Sequence, residues 1–354
     1  MKILILTPNL NAKSGWGRYS LDLLSALSRN GIQCVIITTD KLSSPGNYKK
    51  NYFFAFWYAW KLRKYAQECD FIHSFVEPYS FVAYLLSKLT GKKYLISAHG
   101  TYALMPYEFP AYKKFFHDKS FRGATKIFCG SNFTKELLAK RGLNNLCVIN
   151  YGLDFNKFYD SHLPLYEERE NNILTVGALK YRKGYHISLR AFAVACDIYP
   201  DLTYSIVGDQ SDVAYFNSLK KLVKELSIEN AVSFFDSISD AKLIQLYRKA
   251  KLFILTPISE DAHFEGFGLV YLEAGACGLP VVGSLGSGAE DAIKDGETGF
   301  LISPKNSKET SQAIIRILGD QSLAKTLANN GIAWAKEHDW AIVVTRYLAI
   351  YNML

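Results

Sequence analysis

The chain has 354 residues, about half of them apolar and a fifth charged, a composition that excludes a disordered or fibrous protein and suffices for two domains, each with its own core. The net charge of +8 is unevenly placed: residues 1–165 carry 22 Lys and Arg against 10 Asp and Glu, the remainder 19 against 23. The first half is therefore suited to something anionic, such as a phospholipid surface, a phosphate-bearing acceptor or nucleic acid. Cys34, Cys69, Cys129, Cys147, Cys196 and Cys277 stand singly, without a CxxC pair or a Cys/His cluster, which argues for free thiols in a reducing compartment and against a zinc module.

The opening Met1-Lys2-Ile3-Leu4-Ile5-Leu6-Thr7-Pro8 is too short for a signal-peptide core and reads as a first buried strand. No run reaches the ~20 apolar residues of a membrane span, so a cytoplasmic protein is expected, possible at the inner face of a membrane as a peripheral one. After Ile3–Thr7, strand patterns recur at Gln33–Thr38, Phe71–Phe75, Tyr94–Ala98, Lys126–Cys129 and Leu146–Ile149, with helical patterns between them such as Tyr19–Arg29 and Phe133–Arg141. Ser131-Asn132 supplies good helix-capping residues. A polar stretch over Asp160–Asn172 reads as a linker. The alternation then resumes at Ile173–Gly177, Thr203–Gly208, Val232–Phe234, Leu252–Thr256 and Pro280–Gly283, and Trp340–Met353 closes the chain as an amphipathic helix. Strands alternating with helices imply parallel sheets, so the predicted fold is α/β with two doubly wound, Rossmann-like domains. Residues 1–165 form the first, with helix 338–354 packing back onto it, and 166–337 the second.

The stretch Phe264-Glu265-Gly266-Phe267-Gly268-Leu269-Val270-Tyr271-Leu272-Glu273 carries the sharpest chemistry. A helix apolar almost all round follows Gly268, and such a helix is buried. Glu273 lies within it with no basic residue a turn away, so it needs a partner, for which ribose or sugar hydroxyls are suitable donors. Gly266 and Gly268 permit close approach of a ligand, and the first N–H groups of the helix favour a phosphate. Arg182 and Lys183, beyond the strand Ile173–Gly177, form either a solvated basic turn or a diphosphate clamp. Ser14-Gly15-Trp16-Gly17-Arg18, with Asp40 after the next strand, superficially mimics a dinucleotide fingerprint, but the loop between Thr7 and Gly15 is too long for one. His99-Gly100 ends the strand Tyr94–Ala98, where a ligand role and a structural role are both open.

The Glu265–Glu273 segment resembles the E-x7-E motif of retaining glycosyltransferases of family 4 (glycosyl transferases group 1, mannosyltransferase-like), which have the GT-B fold of two Rossmann-like domains facing across a cleft. The resemblance implies that Glu265 contacts the donor sugar and Glu273 the nucleotide ribose. The backbone of Gly266, Phe267 and Gly268 would then touch the sugar, and that of Leu269 and Val270 the diphosphate. Ala178-Leu179-Lys180-Tyr181-Arg182-Lys183 is similar to the family's diphosphate clamp, although Ala178 stands where many members have Arg. The Gly15–Gly17 loop resembles the family's first loop, with Arg18 a weaker candidate, and His99 its sugar-contacting histidine. Phe234–Asp240, with Ser237, is similar to the loop that holds the nucleobase, and Asn150–Phe158 and Asp295–Leu301 match further segments. The implied catalytic set is Glu265, His99, Arg182 and Lys183.

No D-x-D occurs, so a metal-independent reaction with no cofactor beyond a UDP- or GDP-sugar is expected. The implied function is transfer of a hexose to a glycan or lipid-linked acceptor in cell-surface polysaccharide or glycolipid synthesis. A sugar-nucleotide epimerase or hydrolase of the same fold and a non-catalytic partner subunit are the alternatives. The aromatic, basic segments Asn51–Tyr65 (Lys61, Arg63, Lys64) and Phe109–Lys126 (Lys113, Lys114, Lys119, Arg122) suit either an anionic membrane or ordinary solvated helix faces. Nucleic acid is not expected as a partner, because the basic residues belong to no recognised module.

Overall fold

The computed structural model describes residues 1–12, 14–38 and 48–354, the first six of the last span through their backbone alone. Asp40, the end of the apparent dinucleotide fingerprint, lies outside them. The chain divides into two units, Met1–Gly152 with Trp340–Leu354, and Leu153–Asp339.

In the first unit β1 (Lys2–Thr7), β2 (Gln33–Thr38), β3 (Phe71–Ser74), β4 (Tyr94–Ala98), β5 (Lys126–Cys129) and β6 (Leu146–Val148) form one sheet in the order β2-β1-β3-β4-β5-β6. Every pairing in it is parallel. Its central strands are apolar on both faces because helices cover both faces, and Ile3, Leu4, Ile5 and Leu6 of β1 are all buried. Ser14 and Ser131 cap the helices Gly15–Arg29 and Asn132–Ala139, their hydroxyls accepting the Gly17 and Thr134 N–H groups at 3.1 Å. The closing helix Trp340–Tyr351 shares one core cluster with Ile3, Ile5, Leu23, Phe71 and Phe128. Its buried tyrosines are satisfied there: Tyr347 Oη lies 3.0 Å from Tyr19 Oη, and Tyr351 Oη 2.7 Å from His73 Nδ1.

The second unit holds β7 (Asn172–Val176), β8 (Thr203–Val207), β9 (Val232–Phe235), β10 (Leu252–Ile254), β11 (Val281–Ser284) and β12 (Gly299–Ile302) in the order β12-β11-β10-β7-β8-β9, again all parallel. β12 is an addition to the predicted strands and begins within the Asp295–Leu301 segment. The division of the chain also falls earlier than the predicted 165/166. The polar stretch read as a linker is anchored in the second unit: buried Arg169 donates to the Ala250 carbonyl at 3.2 Å and to the Cys277 carbonyl at 2.8 Å. Upstream, Lys157 pairs with Asp240 at 2.6 Å, and Leu153, Phe155 and Phe158 are buried.

Candidate functional site

Each sheet reverses its direction of growth once. In the second unit the chain runs from β7 out to β8 and β9, then returns to place β10 on the other side of β7. The loops leaving the carboxyl ends of β7 and β10 therefore diverge and open a crevice, the position where open α/β sheets bind ligands. Of the sequence candidates of this unit, Arg182 and Lys183 lie on the first of those loops and Glu265, Gly266, Phe267 and Gly268 on the second, which runs into the helix bearing Leu269, Val270 and Glu273; Ser237 lies apart from both, after β9.

After β7 the chain makes a short turn, Tyr181–Lys183, and Gly184 starts the helix Tyr185–Cys196. Gly184 has φ +72°, and a Cβ on it would lie 1.8 Å from the Thr256 carbonyl oxygen, so only glycine fits between the two loops. The Ile258 N–H donates to the Arg182 carbonyl at 2.7 Å and the Thr256 hydroxyl to the Gly184 carbonyl at 2.9 Å. Behind β10, the Gly288 N–H donates to the Glu265 carbonyl at 2.8 Å, and a Cβ on Gly288 would lie 2.2 Å from the Gly266 oxygen.

These bonds bring Arg182, Lys183 and Glu265 together. Lys183 Nζ donates to Glu265 Oε2, and Arg182 Nη1 lies 3.6 Å from the same oxygen. Arg182 also donates to the Phe264 carbonyl at 3.3 Å. The Lys183 and Glu265 side chains are each only 12% exposed. Burial alone would raise the Glu265 pKa, but Lys183 and Arg182 outweigh it and hold the carboxylate below its ordinary value. Burial lowers the Lys183 pKa, and Arg182 adds to this against the attraction of Glu265. The cluster is thus two cations on one anion, carrying a net positive charge in a mostly desolvated crevice.

Glu265 leads through Gly266, Phe267 and Gly268 into the helix Leu269–Ala276, of which Tyr271, Leu272, Ala274, Gly275 and Ala276 are buried. Gly268 caps it in the left-handed region at φ +83°. The first N–H groups of a helix have no intrahelical acceptor, so those of Leu269 and Val270 mark the anion-favouring end beside the cations. Glu273 is partly rather than fully buried, and it has a protein partner that the local sequence does not reveal: the Tyr247 hydroxyl donates to Oε2 at 3.0 Å. Ser237 is exposed in the loop after β9.

In the first unit the reversal lies between β1 and β3. Gly15 opens the helix after β1, and among the described residues nothing beyond its chain neighbours and its own helix backbone lies within 4 Å of where its Cβ would be, whereas a Cβ on Gly17 would lie 2.2 Å from the Asn11 oxygen. Packing therefore explains Gly17 and leaves Gly15 open to a ligand. His99 follows β4 with both ring nitrogens engaged within the unit, Nε2 against the Phe75 carbonyl at 2.6 Å and Nδ1 against the Tyr151 hydroxyl at 2.7 Å. A carbonyl can only accept, so Nε2 carries the proton and Nδ1 accepts from Tyr151. Burial lowers the His99 pKa to about 4, fixing the neutral ring. A direct sugar contact through this ring would require one of those bonds to be exchanged.

The residue that sequence reasoning missed is Glu77, just beyond β3. It is 2% exposed, one carboxyl oxygen accepts the His99 N–H, and Oε2 finds no hydrogen-bond partner among the described residues. Burial, only partly offset by N–H groups of Glu77 and His99, pushes its pKa up to about 8. The available signal was an acid in the apolar run Ser74-Phe75-Val76-Glu77-Pro78, immediately after a strand. Among the described residues no group of three or more His, Cys, Asp or Glu could hold a metal ion, and no helix is long and apolar enough to cross a membrane.

Comparison with known proteins agrees with this fold. The family model for glycosyl transferases group 1 matches residues 163–334, and that for Glycosyltransferase Family 4 matches residues 13–157. An uncharacterized glycosyltransferase of Methanocaldococcus jannaschii is 27% identical over 290 residues, covering 80% of this chain and 76% of its own. The D-inositol 3-phosphate glycosyltransferase of Acidothermus cellulolyticus is 32% identical over 186 residues, 51% of this chain and only 40% of its own length. The crystal structure of Anabaena HepE in complex with UDP and glucose shares the fold, with a TM-score of 0.79 at 22% identity over the whole of both chains.

Proposed function

Because the chain belongs to the family 4 glycosyltransferases and has the GT-B fold, we propose that it transfers a hexose from a nucleotide diphosphate sugar to a hydroxyl of a glycan or lipid-linked acceptor, with retention at the anomeric carbon. The observation that carries this reading is the Arg182–Lys183–Glu265 cluster at the reversal of the second sheet, beside the start of the helix that bears Glu273. The second unit then holds the donor and the first the acceptor.

The diphosphate lies against Arg182, Lys183 and the N–H groups of Leu269 and Val270. An ammonium has three N–H donors, so Lys183 can keep Glu265 while binding a phosphate oxygen. Both cations meet Oε2 of Glu265, which leaves Oε1 for a sugar hydroxyl. Gly266–Gly268 allow the sugar to approach the backbone. Glu273 accepts from the ribose, with Tyr247 holding its other side, and the Ser237 loop faces the base. The acceptor oxygen attacks the anomeric carbon from the face that the diphosphate leaves, the bond from that carbon to the diphosphate breaks, and the acceptor proton passes to a departing phosphate oxygen. The preorganised positive cluster stabilises the charge that develops on the diphosphate.

The complexes of HepE with UDP and with UDP-glucose make UDP the first base to try, with GDP the second. Thermal shift against UDP, GDP, ADP and their hexose conjugates tests the reading. At about 100 times its dissociation constant a true ligand adds about 2.7 kcal/mol. A shift with one nucleotide class that Glu273→Ala removes supports it, whereas no shift with any nucleotide counts against it. Release of free hexose from the bound donor without acceptor would favour a hydrolase or epimerase instead.

A further inference from the structure

Among the described residues, the exposed aromatic side chains of the first unit lie on two helices. The helix Tyr48–Gln67 presents Phe54, Phe56, Trp57, Trp60 and Tyr65, and the helix Ala111–Gly123 presents Tyr112 and Phe115, with Trp57 54%, Trp60 57% and Phe115 56% exposed. The helix Ser80–Thr90 lies between them and joins the two: the ring of Phe81 sits 5.7 Å from that of Phe56 and 4.8 Å from that of Phe116. Leu89 of the middle helix is itself half exposed. Apolar side chains this large are uncommon on a free surface and mark a place of interaction when they are contiguous.

The same surface is basic. Lys61, Arg63, Lys64, Lys88, Lys113, Lys114, Lys119 and Arg122 lie on these three helices, and the one acid in them, Asp118, is paired with Arg122 at 2.6 Å. Several of these cations rest on the aromatic rings: Lys61 lies 4.8 Å from the Trp57 ring, Arg63 4.2 Å from Trp60, Lys64 4.9 Å from Tyr65 and Lys119 5.5 Å from Phe115. Aromatic rings with amphipathic bodies, flanked by cations on long apolar stems, are the chemistry of the membrane–water interface.

We propose that this three-helix surface docks the protein on an anionic lipid bilayer, with Phe56, Trp57, Trp60 and Phe115 entering the headgroup boundary and the lysines and arginines meeting the lipid phosphates. A single-stranded nucleic acid also calls for cations and aromatics, but its bases stack on ring faces, and here cations already lie over those faces. Insertion into lipid leaves that stacking intact, and electrostatic attraction to anionic headgroups supplies the complementary charge. The inference does not depend on the transferase reading, and it would stand if that reading failed.

The test is co-sedimentation of the full chain with phosphatidylcholine vesicles, with and without phosphatidylglycerol, at low and high salt, followed also by tryptophan emission. Trp57→Gln/Trp60→Gln and Lys61→Glu/Lys64→Glu alter exposed side chains only, so the melting temperature and the nucleotide-induced shift should stay as in the parent. The expected result is salt-sensitive binding to the phosphatidylglycerol vesicles, with a blue shift of emission, and a loss of about tenfold in partitioning for either double variant. Binding to neither vesicle, or equal binding to both that neither variant changes, would overturn the proposal. So would a dimer in light scattering that Trp57→Gln/Trp60→Gln dissolves, or retention by an oligonucleotide in preference to anionic vesicles.

Discussion

Glu77→Gln isolates one buried proton. The carboxyl is held near pH 8 by burial, against an ordinary value of 4.5. The folded protein therefore keeps this proton between those two values while the unfolded chain gives it up. Stability rises with pH where the unfolded state binds more protons, and here the folded state binds more, so the contribution is complete below pH 4.5 and is lost as pH rises toward 8. At about 1.4 kcal/mol per pH unit the whole span corresponds to about 5 kcal/mol. Gln keeps the shape, can accept the His99 N–H, and has nothing to titrate. The buried histidines His73, His99 and His117, lowered to about 3, 4 and 4, work in the opposite sense on the acid side. They are present in both proteins and cancel in the difference. Chemical unfolding of parent and variant from pH 5 to pH 9 should show the variant gaining by about 1.4 kcal/mol per pH unit up to about 8 and nothing further above it. A difference independent of pH would refute the reasoning, because Glu77 would then ionise inside the fold as it does outside.

Two further predictions concern the second unit. Lys183→Met leaves Glu265 largely buried with only Arg182 near it and should cost about 3–5 kcal/mol, while Lys183→Met/Glu265→Gln should recover most of that stability and none of the turnover. Turnover with the donor identified by thermal shift should fall by about 10²–10³ in both, and a double variant with near-parent activity would remove the cluster from the mechanism. Gly184→Ala places a Cβ into the Thr256 carbonyl at a left-handed position and should lower unfolding free energy by about 3 kcal/mol or more. A loss under about 1 kcal/mol would mean that the two loops part easily.

Signals carried by neighbours in the chain were legible. The alternation of short apolar runs with amphipathic stretches identifies eleven of the twelve strands among the described residues and their parallel arrangement, because strands buried on both faces read as unbroken apolar runs. Ser131 reads as a cap from its own type and place, and Gly268 followed by an octet that is apolar apart from Glu273 reads as a buried helix. β12 escaped because it begins on the last glycine of a turn, whose signal masks the apolar run that follows. The end of the first unit escaped because Arg169 reads as solvated in a polar stretch, whereas its guanidinium is spent on carbonyls 81 and 108 residues away. Tyr247, the partner of Glu273, stands 26 residues upstream on a different helix, a distance at which spacing carries no information about contact.

The two units nevertheless obey one rule that links what was read to what was missed. In each, a glycine stands where the chain after the first strand enters its helix, Gly15 after β1 and Gly184 after β7. The strand placed on its other side by the reversal is followed by a buried or nearly buried carboxyl, Glu77 after β3 and Glu265 after β10. Their protonation is opposite because their neighbours differ. Glu265 has two cations against one oxygen and is held charged. Glu77 has backbone N–H groups for partners, no cation among the causes of its shift, and is held neutral. On the function proposed above, a neutral carboxyl that anchors the His99 backbone suits a surface that meets hydroxyls, and a charged one between cations suits a surface that meets a diphosphate sugar. On this argument the pH profile of Glu77→Gln and the activity of Lys183→Met/Glu265→Gln probe two versions of one architectural position.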